Sequence, residues 1–347
     1  MEEITIKDIA RMCGVGVSTV SRAINNHPDI NPETKEMILS VIKENSYIPN
    51  NSARNLKRTD ARTIAVLVKG ITNPFFNSMI RIMEEEIRKK RYSLVLHHVD
   101  FTEDEVDVAL ELIKEKRLRG IVFLGGYFSH SEEKLKKLHV PFVLSTVGCS
   151  PGNMNSELYS TVSVDDEKES SRMVQYLIDC GHKDIAILAA ETDDESIGKL
   201  RLEGYKRTLE RNGIPVRETL IRRMRCDISS YSLENGYAVT KELIESKVPC
   251  TAIFAISDMQ AIGACRAILE AGMKIPQDYA VAGFDGIEMG GFYTPSLTTI
   301  RQPIERLAEE TIHLLFEVIA GRKAHQHLTY DAELLEREST GCGVIAG

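Results

Sequence analysis

The chain has 347 residues, 43% of them hydrophobic and 27% charged, with no run of eighteen apolar residues. That composition excludes a disordered chain, a fibrous repeat and a membrane-spanning helix, and the length calls for two or three domains. Lys and Arg number 43 against 51 Asp and Glu, a net charge of −8 that argues against a general polyanion binder.

The first residues, Met1-Glu2-Glu3, carry acid where a secretory signal carries Lys or Arg, which predicts a cytoplasmic protein. Seven cysteines (Cys13, Cys149, Cys180, Cys226, Cys250, Cys265, Cys342) are scattered without a CxxC pair. They are expected to be reduced and mostly buried, with no zinc site and no disulfide framework. Charge is uneven along the chain. Between Ile4 and Arg58 eight bases face five acids, a local +3 that leaves −11 for the rest. A mildly basic head therefore precedes a large acidic body.

The head reads as three helices. Ile6, Ile9, Ala10 and Cys13 share one helical face, and Gly14-Val15-Gly16 ends that helix. A second helix spans about 17–25, with Val20, Ala23 and Ile24 inward and Val17, Ser18, Ser21, Arg22 and Asn25 outward. A third opens at Asn31-Pro32, a cap followed by the proline tolerated at the first helical position, and packs Met37, Ile38, Val41 and Ile42. Two short helices joined by a glycine turn and buttressed by a third predict a helix-turn-helix. The small, polar outer face of the second helix, ending in Arg22, suits a DNA major groove.

Asn50-Asn51-Ser52-Ala53-Arg54-Asn55-Leu56-Lys57-Arg58 is basic and polar with one large apolar residue. It reads as a linker long enough for two helical turns, too few for stability alone. From Arg62 onward apolar strands alternate with amphipathic helices, the pattern of an α/β protein with parallel sheets. Strands are expected near 64–68, 94–99, 121–124 and 142–144, then near 185–189, 252–255 and 280–284. Two such groups predict two lobes, with ligands at the strands' carboxyl ends in the cleft between them.

Specific motifs accompany this pattern. Thr5-Ile6-Lys7-Asp8-Ile9-Ala10, Val17-Ser18-Thr19-Val20-Ser21-Arg22, Asn25, Tyr47-Ile48-Pro49-Asn50, Asn73-Pro74-Phe75-Phe76, Gly181-His182-Lys183, Arg201-Leu202-Glu203-Gly204-Tyr205, Gly283-Phe284-Asp285 and Leu297-Thr298-Thr299-Ile300-Arg301-Gln302-Pro303 occur in that order. The chain so marked resembles the LacI/GalR repressors over nearly its whole length. The resemblance implies an α/β fold: a two-lobed periplasmic-binding-protein-like core with an all-α helix-turn-helix head. The expected boundaries are 1–48 for the head, 49–61 for a hinge helix and 62–347 for the core. Within the core one lobe would take 62–162 plus about 291–323, and the other 163–290 plus about 324–347.

The same resemblance implies which residues touch DNA. Val17 and Ser18 would meet base edges and Arg22 a guanine, while Thr5, Thr19, Ser21 and Asn25 would meet phosphate. In the hinge, Asn50, Ala53, Arg54 and Lys57 would join them, and Leu56 would wedge into the minor groove at the centre of a near-palindromic operator. Gly16 departs from the family, which usually has Ser as cap of the reading helix. A homodimer is implied, and the absence of a leucine heptad after Leu334-Leu335 argues against a tetramer.

For the cleft the resemblance implies Asn73, Phe75, Phe76, Arg201, Tyr231, Ser257 and Asp285 as effector contacts, with Asp258 as a helix cap. Thr146 stands where sugar-responsive relatives often carry Asp, and Gly286 where Asp or Asn is usual. Asp193-Asp194-Glu195 is acidic where purine-responsive relatives supply Arg, so the expected effector is a neutral sugar or polyol. A phosphoprotein corepressor, as in catabolite-control members, is the alternative. No GxSxG, Walker, GxGxxG or HExxH motif occurs, and the nine histidines form no catalytic set, so no enzyme, metal or cofactor is expected. An extracytoplasmic receptor shares the two-lobed core but not the head.

Overall fold

The computed structural model describes residues 4–24, 27–45, 47, 62–100, 102–149, 155–191 and 196–342. The chain divides into two compact units, Met1–Ala61 and Arg62–Gly347. In the first, helices α1 (Ile6–Met12), α2 (Val17–Ile24) and α3 (Pro32–Glu44) follow one another. At the start of α1, the Thr5 backbone N–H and hydroxyl both donate to the Asp8 carboxylate, at 3.0 and 2.6 Å. Those bonds, near the positive end of the helix dipole, hold the Asp8 carboxyl below its ordinary range. At the start of α3, Asn31 accepts from the N–H groups of Glu33 and Thr34 ahead of a tolerated proline.

Ile9, Ala10, Val20, Ala23 and Ile38 form the core of this unit, with Ile6, Cys13, Ile24, Val41 and Ile42 packed around it. Met37, expected inside, is instead 42% exposed. The face set by Ile38, Val41 and Ile42 leaves it at the edge.

The second unit carries two six-stranded sheets. The first lobe uses β1 (Thr63–Val68), β2 (Ser93–His98), β3 (Gly120–Leu124), β5 (Phe142–Ser145), β7 (Ser160–Val164) and β13 (His327–Tyr330), in the order β13-β7-β5-β3-β1-β2. A short pair, β4 (Tyr127–Phe128) with β6 (Gly148–Cys149), lies apart from this sheet. The second lobe uses β8 (Ile185–Ala189), β9 (Ile221–Arg223), β10 (Ala252–Ala255), β11 (Ala280–Asp285), β12 (Thr298–Arg301) and β14 (Glu333–Leu335), in the order β14-β12-β11-β10-β8-β9. All neighbours pair in parallel except β12 with β14. Each strand order reverses once, between β1 and β3 and between β8 and β10, and such switch points open crevices at the carboxyl ends of strands.

The lobe boundaries differ from those expected. Residues 298–301 extend the second sheet beside β11, and 327–330 join the first sheet beside β7. The late crossings therefore fall near 302–303 and 331–332, not near 291 and 324. Both strands are short and mixed in polarity, which conceals them in sequence.

Helices α4 (Pro74–Lys89), α5 (Glu105–Lys116), α6 (Glu132–Lys136) and α12 (Ile304–Ile319) serve the first lobe. Helices α7 (Asp166–Asp179), α8 (Ile197–Arg211), α9 (Leu233–Glu245), α10 (Asp258–Glu270) and α11 (Glu288–Phe292) serve the second. Helices α9 and α10 touch backbone to backbone: a Cβ on Gly236 would lie 2.2 Å from the Gln260 carbonyl oxygen, and one on Gly263 would lie 2.1 Å from that of Leu233.

One covalent link corrects the expectation of reduced thiols. Cys180, at the end of α7, is bonded to Cys342, and their Cα atoms are 5.6 Å apart. The partners are 162 residues apart, so spacing gave no sign of the pair. Among the described free thiols, Cys265 is buried, whereas Cys226 is exposed.

Overpacking has a clear target here. Gly236→Ala or Gly263→Ala should destabilise the core by about 1–3 kcal/mol in denaturant unfolding, because only backbone movement relieves the clash. Gly272→Ala faces no neighbour within 4 Å and serves as the comparison for left-handed strain alone.

Candidate nucleic-acid interface and inter-lobe cleft

On α2 the buried residues Val20 and Ala23 fix the inner face. Val17, Ser18 and Arg22 are exposed, while Thr19 and Ser21 are half-buried. Val17 keeps 41% exposure. Gly16 caps the helix through its carbonyl, which accepts from Thr19 and Val20. Asn25, Asn50, Ala53, Arg54, Leu56 and Lys57 lie outside the described residues.

The second unit holds a cleft of about 830 Å³ between its lobes. Its walls are the ends of strands: Lys69 to Phe76 after β1, Gly126 and Tyr127 after β3, Ala190 and Glu191 after β8, Met224 to Tyr231 after β9, Ser257 after β10 and Asp285 closing β11. Asn73 caps α4 by accepting from the Phe75 N–H, and its side-chain amide donates to Asp285 Oδ2 at 3.0 Å. A first-lobe residue thus meets a second-lobe residue directly. Phe75 and Phe76 pack edge to face at 5.3 Å and are both buried.

Arg201 sits at the cleft floor with 1% exposure. Its Nε donates to Asp166 Oδ1 at 2.8 Å, its Nη1 donates to the Ile256 carbonyl and lies 3.7 Å from Asp285 Oδ1, and its carbon stacks 3.6 Å over the Phe284 ring. Gln302 donates to Asp285 Oδ1 at 3.0 Å. Asp285 itself holds φ +125°, and the following Gly286 holds φ +77°. A Cβ on Gly286 would lie 2.5 Å from the Arg301 backbone, so no side chain fits there.

Asp258 does something other than cap α10. Ser257 takes the cap, accepting from the Gln260 N–H, and Asp258 reaches across to accept from the Gly286 and Ile287 N–H groups at 2.8 Å each and from the Thr299 hydroxyl at 2.5 Å. It thereby fixes the turn that carries Asp285. Asp166 and Asp285 are buried carboxyls beside the Arg201 guanidinium and Asp258 is buried behind Asp285, and desolvation pushes all three upward from the ordinary carboxylate range. For a carboxyl raised on folding, the native state holds the proton more tightly than the unfolded chain. Its contribution is present at low pH and is lost as pH rises through the folded value. The contribution of this set should therefore fall between about pH 4, the unfolded carboxyl value, and about pH 7, by on the order of 1 kcal/mol per pH unit where one group titrates. Denaturant unfolding across that range checks this, and a rising profile would contradict it.

Two family models match the chain. The one described as bacterial regulatory proteins, lacI family, covers residues 5–50, and a periplasmic binding protein-like domain covers 174–340. The chain is 40% identical to the HTH-type transcriptional regulator MalR of Clostridium butyricum, covering 97% of this chain and 99% of that protein. The chain belongs to the LacI family. As a LacI-family member it is a DNA-binding transcriptional regulator and not an enzyme. It is also 31% identical to the HTH-type transcriptional repressor PurR of Histophilus somni strain 129Pt, over 96% of this chain and 98% of that one. Among solved structures, the transcriptional regulator CelR in complex with cellobiose superposes with a TM-score of 0.69 at 27% identity, covering 97% and 99% of the two chains.

All seven residues that the LacI-family resemblance assigned to the cleft, Asn73, Phe75, Phe76, Arg201, Tyr231, Ser257 and Asp285, line it together. Thr146 does not; it is buried at the end of β5 with φ +50°. The acidic stretch 193–195 lies outside the described residues. Sequence reasoning did not assign Lys69, Glu191, Arg225, Asp227, Ser230 or Gln302. Gln302 stood within a quoted motif, and its place straight after a strand was the available signal. No helix among the described residues is long and apolar enough to cross a membrane.

Proposed function

We propose that this protein is a cytoplasmic repressor, active as a homodimer, whose affinity for a near-palindromic operator is set by a sugar or polyol in the cleft. The observation that carries this reading is the buried pair of Arg201 and Asp285 beside the rings of Phe75 and Phe76. A guanidinium donates to adjacent hydroxyls, a carboxylate accepts from them, and an aromatic face covers the apolar side of a sugar ring. Support comes from the CelR structure, which was solved with cellobiose, and from the repressor designation of the PurR relative. In the head, Val17, Ser18 and Arg22 read bases, and Thr5, Thr19, Ser21 and Asn25 hold phosphate. The segment with Asn50, Ala53, Arg54, Leu56 and Lys57 completes the DNA contact.

Two experiments test the reading. Operator affinity, measured by anisotropy at fixed salt, should change at least about tenfold when a cognate sugar is added, and Asp285→Asn should blunt that response while leaving sugar-free DNA binding in place. A response only to a serine-phosphorylated carrier protein would replace the sugar with a phosphoprotein corepressor. Exchange of Val17 and Ser18 should shift base preference across a randomised operator library, by about 1–3 kcal/mol at the affected position. An unchanged preference would remove α2 from the reading role.

A further inference from the structure

We infer that Cys180 and Cys342 form a reversible redox modification site, closed by small-molecule disulfides and reopened by small-molecule thiols, that clasps the end of the chain onto the second lobe. Placement is the first observation. Cys180 caps the carboxyl end of α7, and Cys342 follows a short segment laid against the starts of β11 and β12. In that segment the Ser339 carbonyl accepts from the Val281 N–H and the Ser339 N–H donates to the Ser296 carbonyl, at 2.9 Å each. The Ser339 hydroxyl donates to the Val281 carbonyl at 2.6 Å and accepts from the Thr298 N–H at 2.8 Å. The Thr340 hydroxyl shares hydrogen bonds with those of Tyr176, on α7, and Thr298, at 2.9 Å each. Ser339 and Thr340 are both buried. These bonds hold the segment in place by themselves, and the sulfurs add only a tie at its outer end.

Access is the second observation. Both cysteines are half-buried, and each borders an exposed glycine, Gly181 after Cys180 and Gly341 before Cys342. A Cβ on Gly181 would meet nothing within 4 Å, so a small thiol has room to approach from that side. The other described thiols of the core differ. Burial pushes Cys250 and Cys265 up to about 11 and about 12, which keeps them protonated, and Cys226, though exposed, is bonded to no second sulfur.

Closure begins at Cys342, because the carbonyl end of α7 disfavours a thiolate on Cys180. Cys342 loses its proton to solvent and attacks one sulfur of a disulfide RSSR, whose S–S bond breaks to release RS−, which takes up a proton. Cys180, deprotonated in turn, attacks the Cys342 sulfur and expels the second RS−. Two protein thiols are oxidised by two electrons, and one RSSR is reduced to two RSH. Excess RSH runs the same steps backwards. A chain end held by hydrogen bonds alone frays, whereas one tied at its outer residue does not. Oxidation therefore stiffens the segment that holds the start of β11, the strand that ends at Asp285.

The full chain, equilibrated in glutathione buffers of graded thiol-to-disulfide ratio, then alkylated and mapped by mass spectrometry, tests this. The Cys180–Cys342 link should pass from present to absent across the series without denaturant, and return when the ratio is reversed. The oxidised form should melt about 4 °C or more above the reduced one, and the amides of Val281, Thr298 and Ser339 should exchange about tenfold or more slowly in it. Cys342→Ser should abolish both differences, with Cys180→Ser in its place if that variant does not fold. A link that survives every ratio, or opens only on unfolding, is a permanent structural bond and overturns the proposal. A link absent at every ratio overturns the pairing. Equal melting and exchange in the two forms overturns the clasp, as does a difference that persists in the serine variant.

Discussion

A guanidinium with almost no access to water has to be neutralised from inside the protein, and the second lobe is arranged to do this for Arg201. Asp166 arrives from the start of α7, Ile256 offers its carbonyl from the end of β10, Phe284 supplies a ring, and Asp285 closes β11 within 3.7 Å. Removing Asp166, which holds both Nε and Nη2 at 2.8 Å, would strand charge in a low-dielectric site, which costs several kcal/mol. Asp258 is held instead by the Gly286 and Ile287 N–H groups and the Thr299 hydroxyl, while burial and the Asp285 charge push its carboxyl upward. Strand ends, the turn at 286–287 and the first turn of α7 are thereby locked to one another. The cleft floor is rigid because its charges leave it no alternative.

The second consequence concerns the two lobes. Asp285 belongs to the second sheet, yet it accepts from Asn73 of the first lobe and from Gln302 at a crossing between them. A ligand replacing or joining those bonds necessarily touches both lobes. Differential contact of that kind is what allows a small molecule to favour one arrangement of two bodies over another. The positions that make this coupling are few, and most are polar groups on strand ends rather than core residues.

How much of this was legible in the sequence follows from burial. Strands covered on both faces, such as Ile64–Val68, Ile185–Ala189 and Ala252–Ala255, are continuous apolar runs and were found. Those of mixed composition, Ser160–Val164, Thr298–Arg301 and His327–Tyr330, were not, and the lobe boundaries slipped with them. The head was readable because helical spacing and the Asn31-Pro32 cap are local signals, with Met37 misjudged only at the edge of a face. Within the cleft, Arg201 and Asp285 were found through family motifs rather than spacing. The bonds from Asp258 to the 286–287 turn and the Cys180–Cys342 link join distant segments, and nothing local announces them.

The central claim is that one hydrogen-bonded centre serves both lobes, and a double-mutant cycle on sugar affinity tests it most directly. Asn73→Ser retains a good helix cap but loses the amide donor, and Asp285→Asn is nearly isosteric. With the tightest-binding sugar, the two changes together should cost about 1 kcal/mol or more less than their sum, because each already breaks the shared centre. Additivity within about 0.3–0.5 kcal/mol would mean that the two residues act independently, and the centre described here would not exist.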